Sequence, residues 1–284
     1  MRLGFYRGQG MGRGRIRVGV GGWSFAPWRD NFYPRGLTQA RELGFASRKL
    51  TAIEINATFY RTQTSASFRR WADETPDDFV FAIKAHRLTT HRNRLAEAGP
   101  AIEHFVGSGL TELGPKLGPL VWQFAPTKRF EAEDFEGFLA QLPKEEGGCT
   151  LRHVLEVRHE SFCDEKFVAL ARSYNCAICL ADSAKYPLIA DISADFVYVR
   201  LQKSSALHET GYAPDAIETW LQRAKCWASG GEPDDLPYLA KERAPKGQGR
   251  DSFIFFIAGA KETNPAAACA LIERLQHNAE KAST

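Results

Sequence analysis

The sequence has no long hydrophobic run. None of its apolar stretches approaches the roughly 20 residues that a membrane-spanning helix needs. The first 15 residues, MRLGFYRGQGMGRGR, are rich in glycine and arginine, lack an apolar region and do not read as a secretory signal. They read as a disordered tail, or as an over-long start with initiation at Met11 rather than Met1. No GxSxG elbow, P-loop or GxGxxG lies between a strand and a helix, and GVGGWS near the start is too aromatic for a dinucleotide loop. Strong charge is also lacking. A net charge of +3 neither demands nor excludes a nucleic-acid or phosphorylated partner.

Six cysteines are scattered over 284 residues, a number and spacing not expected of a disulfide framework. Cys176 and Cys179 form a C-x-x-C inside the apolar run NCAICLAD. In a strand, positions i and i+3 point to opposite faces, so this pair is expected to be structural. The cytoplasm is the expected compartment.

What is present is an alternation that begins at Arg17. Eight short β-branched or aromatic runs start at Arg17, Ala52, Phe79, Leu117, Arg152, Cys176, Phe196 and Ser252. Several are apolar on both faces, as strands between a core and a helix layer should be. Helical-period segments follow at Leu37–Leu50, Ser65–Glu74, Pro100–Leu113, Asp134–Leu142, Asp164–Tyr174, Asp215–Ser229 and Pro265–Lys281. Asp164 and the Asn264-Pro265 pair supply start signals. The sixth unit lacks a helix. Eight such units with right-handed crossovers close into a (β/α)₈ TIM barrel, an α/β fold of one domain over residues 16–284. Residues 230–251, rich in Pro, Gly and charge, read as a surface insertion before the eighth strand.

Barrel sites are built where strands end. The strand ends carry Glu54 and Asn56, Lys84 and His86, Gln123, Glu156 and Arg158 with His159 just beyond, Asp182, and Tyr198 and Arg200. If these face inward, Glu54, Glu156 and Asp182 oppose Lys84, Arg158 and Arg200. Glu54, Glu156 and Asp182 are the candidate catalytic carboxylates, and the cations would clamp an anion. The competing account is an internal ion-pair lattice, since buried charge is costly unless paired. No tight metal-ligand spacing exists, so folding is expected to need no metal, although a cluster of the three carboxylates with a histidine stays open. The loop carrying Gly259, Lys261 and Thr263 before Asn264 reads either as a phosphate site or as an ordinary capped turn. Trp23, Trp28 and Tyr60 are candidates for stacking on a ring or base. The sequence leaves the cofactor open.

Three first-half motifs, VGVGGWSF with FYP following, EINATFYR and TPDDFVFAIKAHRLTTH, resemble the YecE-like domain-of-unknown-function family. LGPLVWQFAP, LEVRHESF and YVRL continue the similarity in order. The resemblance covers Arg17 to Gln276 and implies a TIM barrel without an assigned reaction. It maps polar family positions onto Trp23, Ser24, Glu54, Asn56, Tyr60, Arg61, Lys84, Thr90, His91, Gln123, Glu156, Arg158, His159, Asp182 and Arg200. Gln202-Lys203, Ile257-Ala258 and Phe162 depart from the family pattern.

The residues favour an enzyme or binder acting on an anionic, phosphate-containing small molecule or nucleotide at the barrel mouth. Trp23, Asn56, Tyr60, Lys84, His91, Gln123, Arg158, His159 and Arg200 are the candidate binding residues. A metal-dependent nucleic-acid hydrolase resembling barrel endonucleases is the first alternative, and a non-catalytic interaction protein the second.

Overall fold

The computed structural model describes residues 12–245 and 247–283, so the expected tail lies outside the described residues up to Met11. Strands β1 (Ile16–Gly21), β2 (Ala52–Ile55), β3 (Val80–Lys84) and β4 (Leu117–Gln123) are followed by β5 (His153–Glu156), β6 (Ala177–Asp182), β7 (Phe196–Leu201) and β8 (Asp251–Phe256). Each pairs in parallel with its chain neighbour, and β1 pairs with β8 from Ile16↔Ser252 to Val20↔Phe256, which closes the barrel.

The period of two separates two apolar layers. Ala52, Val80, Ala82, Val121, Val154, Ala177, Cys179, Tyr198, Phe253 and Phe255 fill the barrel interior. Their alternates, such as Val18, Ile53, Phe81, Trp122, Leu155, Leu180, Val199 and Ile254, form the larger core beneath the helices. Cys176 and Cys179 fall in different layers as free thiols, which is the structural role expected of them. Burial raises both, Cys176 to about 12.

Seven α-helices occur among the described residues: α1 (Glu42–Ala46), α2 (Ser65–Glu74), α3 (Gly99–Val106), α4 (Ala132–Leu139), α5 (Glu165–Ser173), α6 (Pro214–Ala228) and α7 (Asn264–Ser283). Thr64 and Asp164 cap α2 and α5, accepting from the backbone N–H of Ser67 and Lys166. The first and third helices are shorter than their periodicity suggests. A 3₁₀ turn, Gln39–Arg41, replaces the start of the first; the third stops at Val106 with Gly107 as its C-cap, and left-handed Gly109 (φ 93°) then leads into a 3₁₀ stretch over Leu110–Lys116.

No α-helix follows β6, and residues 230–251 help to cover that gap. Asp191, in the loop after β6, accepts the backbone N–H of Leu239 (2.8 Å) and Ala240 (2.9 Å), while Leu236 is buried and Tyr238, Leu239 and Ala240 pack on the outer core. A small hairpin before β5 was not expected. It pairs Glu145–Glu146 with Cys149–Thr150 through Gly147 (φ 52°) and Gly148 (φ 77°), the double positive φ of a tight hairpin turn.

Candidate functional site at the barrel mouth

At the C-terminal ends of β2, β5 and β7, Glu54, Glu156 and Arg200 converge across the interior. Arg200 is 3% exposed and both carboxylates are 0% exposed. Its Nη2 donates to Glu54 Oε1 at 3.0 Å and its Nη1 to Glu156 Oε2. Tyr198, one inner position below Arg200, donates to Glu54 Oε2 at 2.7 Å. Gln123 donates to Glu156 Oε2 at 2.5 Å, and its neighbour in register is Glu156 itself. Arg158 places Nε (3.2 Å) and Nη2 (3.0 Å) on Glu156 Oε1 and lies 4.4 Å from the ring of Tyr186.

These contacts set the charge states. Burial alone would raise the Glu156 carboxyl, but Arg200, Arg158 and Gln123 hold it at about 2. Burial alone would likewise favour neutral Arg200, and the two carboxylates outweigh it. Glu54, Glu156 and Arg200 therefore form a charged lattice, as the competing account expected.

Lys84 stands outside that lattice. The residue is 8% exposed, and its ammonium makes no hydrogen bond or ion pair with any described residue. Its Nζ lies 3.9 Å from the centre of the Phe59 ring. Burial, reinforced by Arg200 and only partly opposed by Glu156 and Glu54, lowers its ammonium to about 8. The loops hold this strand end tightly. Thr58 donates to the carbonyl of Lys84 at 2.6 Å, and Thr90 to that of Gln123 at 2.6 Å. His91 packs edge-on against the same Phe59 ring at 5.2 Å, and its pKa is lowered by partial burial, Lys84 and Arg158.

Asp182 requires a correction. On β6 the inner positions are Ala177, Cys179 and Ala181, and Ala181 is in register with Arg200. Asp182 is in register with Leu201, an outer-core residue, so it faces the helix layer. There it bonds Lys203 at 2.6 Å in a cavity of about 300 Å³ bounded by Tyr212, Ala216 and Trp220. The inner face thus sets Lys84, Arg158 and Arg200 against Glu54 and Glu156, and the expected balance of acids and bases is broken.

Other expected residues scatter. Trp23 packs on Trp71 (5.1 Å) and Phe81 (6.4 Å) with the outer core, and Trp28 is buried, so neither ring stands free to stack. Tyr60 is 73% exposed on the rim. Asn56 sits beside Gly21, where a Cβ would lie 2.9 Å from its amide nitrogen, so glycine permits the approach. His159 caps its own turn, accepting from the N–H of Ser161 at 3.1 Å. The loop after β8 is filled by protein: Ser204 donates to Asn264 Oδ1 at 2.7 Å, Asn264 Nδ2 donates to the carbonyl of Ala258, and Lys261 Nζ lies 4.2 Å from the Phe25 ring. Phe59 and Tyr186 were missed. Aromatic loop residues give no sequence signal of the cation they will cover.

Fold and site together define a (β/α)₈ barrel with a charged, incompletely paired mouth. The chain belongs to the family described as "Protein of unknown function DUF72", whose model matches residues 17–284. It is 27% identical over 240 residues to the UPF0759 protein YecE of Escherichia coli K12, covering 75% of this chain and 82% of that protein. It is 28% identical over 116 residues to the UPF0759 protein YunF of Bacillus subtilis, where the match spans only 40% of that protein. A DUF72 family protein from Thermotoga maritima superposes with a TM-score of 0.69 at 17% identity, covering 93% of this chain and 99% of the other. A fusion protein with a xylose isomerase-like TIM barrel gives a TM-score of 0.51 at 13% identity, over 95% of this chain and 45% of that one. These likenesses show the fold. No helix among the described residues is long and apolar enough to cross a membrane.

Proposed function

We propose that the barrel mouth binds an anionic small molecule, with phosphate-bearing compounds and nucleotides as the class that fits. One observation carries this reading: Lys84 is a buried cation that no described carboxylate neutralises. An ammonium that has lost most of its water without gaining a counter-ion is unfavourable, and a bound anion relieves that penalty. Arg158, with its side chain 19% exposed and its Nη1 unassigned to any described acceptor, offers a second donor. Charge-assisted hydrogen bonds of this kind are roughly twice as strong as neutral ones.

The carboxylates have a supporting part in this reading. A Glu156 carboxyl held at about 2 is a weak base, so its contribution is to hold Arg158 and Arg200 in place. The metal-hydrolase alternative has less support. Glu54 and Glu156 are committed to Arg200, and among the described residues no three His, Cys, Asp or Glu side chains are grouped as metal ligands.

Thermal unfolding with phosphate, sulfate or nucleoside monophosphates, with and without Mg²⁺ or Mn²⁺, tests the proposal. A ligand at 100 times its Kd stabilises by about 2.7 kcal/mol. Arg158→Met should weaken that response while the ligand-free protein changes less. Failure of every anion to raise the unfolding temperature would refute the reading.

A further inference from the structure

We infer that Lys84 is an amine nucleophile that condenses with an aldehyde or ketone bearing a carboxylate or phosphate, forming a Schiff base at the barrel mouth. The inference rests on the anion-binding reading and narrows its ligand to carbonyl compounds.

A nucleophilic lysine needs a free nitrogen lone pair, and the two buried lysines differ on this point. Lys84 and Lys116 are each 8% exposed. Lys116 Nζ donates to the Thr75 carbonyl at 2.7 Å and to the Ala72 carbonyl, so its nitrogen is committed. Lys84 Nζ has no such acceptor among the described residues and meets only the face of Phe59 at 3.9 Å. The partly buried Lys128 and the exposed Lys203 are held by Asp134 and Asp182 at 2.7 and 2.6 Å.

The groups around Lys84 suit the chemistry. Arg200 on β7 and Arg158 beyond β5 disfavour the ammonium, Glu54 and Glu156 are paired with those arginines, and His91 packs edge-on against the Phe59 ring that Lys84 covers. Desolvation and neighbouring cations are the recognised ways to activate a lysine amine. With its ammonium lowered to about 8, roughly a tenth of Lys84 is free amine at pH 7. The same arginines would hold the anionic group of the substrate beside the nucleophile.

The step balances without an oxidant or a second reactant. The amine lone pair forms a C–N bond as the carbonyl π pair moves to oxygen. A proton passes from nitrogen to that oxygen, giving the carbinolamine. Loss of the hydroxyl as water, with a proton delivered to it, leaves the iminium, and hydrolysis reverses the sequence. Solvent at the open mouth supplies and takes up these protons.

The test incubates the whole chain with pyruvate, glyoxylate or glycolaldehyde phosphate and sodium cyanoborohydride, which delivers hydride to an iminium. Peptide mass mapping then locates the reduced adduct. The expected result is a saturable adduct on Lys84, formed at least about tenfold faster than on exposed Lys241, with a pH midpoint near 8 and suppression by inorganic phosphate. Lys84→Arg and Lys84→Met should both unfold cooperatively and form no adduct there. Adducts spread over exposed lysines without preference for Lys84 would overturn the inference. If phosphate stabilises the wild type but no carbonyl probe is trapped on Lys84, the Schiff base is refuted and the anion site stands. If neither phosphate nor any probe shifts the unfolding temperature and no adduct forms, both are refuted.

Discussion

The two ends of the barrel both bring cations against the interior and settle them differently. At the N-terminal end, Arg152 lies over the rings of Phe253 (4.8 Å) and Phe196 (5.5 Å) and bonds Asp251 at 3.1 Å, while Arg17 donates to the Asp78 carbonyl at 2.6 Å. Each of these cations has an acceptor, and the rings beneath close the base. At the mouth, Arg200 is shared between two carboxylates and Arg158 is added to one of them, yet Lys84 is left over. Matched charge seals one end. Unmatched charge marks the other, on the face where barrel sites are built, as the place where the proposed ligand would bind.

The largest expected contrast comes from removing the central arginine of each end. Arg200→Met leaves Glu54 and Glu156 buried without their shared partner and should cost about 3–5 kcal/mol in chemical denaturation. Arg152→Met leaves Asp251, which is partly solvated, and should cost only about 1–2 kcal/mol. Equal losses at the two ends would remove the distinction between them.

A pH experiment isolates the surplus cation. Lys84 titrates at about 8 in the folded chain against 10.5 ordinarily, so between those values the unfolded chain binds more protons and stability should rise with pH. This contribution is at most about 3 kcal/mol, read as the difference between wild type and Lys84→Met so that tyrosines and cysteines cancel. A difference that stays flat from pH 7 to 11 would show that Lys84 is solvated or paired.

The smallest effect concerns the rim after β8. Ala258 sits at φ 66°, in the left-handed region that costs an L residue about 1–2 kcal/mol, and the next residue, Gly259, lies where a Cβ would meet Ser204 at 2.5 Å. Ala258→Gly should raise stability by about 1 kcal/mol without changing any response to anions. A change in anion response would bring this loop into the site.

Much of this was legible because a strand has a period of two. Strict alternation turns Glu54, Lys84, Glu156, Arg158 and Arg200 inward, and the structure places them there. The same rule applied to β6, with Cys179 inward, would have turned Asp182 outward; its place at a strand end was the misleading cue. The partner choice was not legible. Arg200 reaches Glu54 and Glu156 only because closure brings β2, β5 and β7 together across the interior, and that sharing decides which cation is left over. The short α1 and α3 reflect tertiary packing and glycine breaks that helical periodicity overlooks, and the packing of residues 230–251 over the sixth unit depends on Asp191, far away in sequence.

The central claim is that Lys84 is an unneutralised cation awaiting an anion. Its most direct test is the unfolding free energy of wild type and Lys84→Met titrated with inorganic phosphate at pH 7. The account predicts that the variant without phosphate is more stable than wild type by about 1–3 kcal/mol, because a buried unpaired charge is gone. It also predicts that phosphate stabilises the wild type and leaves the variant unmoved. A variant that is less stable than wild type, or that responds to phosphate equally, would contradict it.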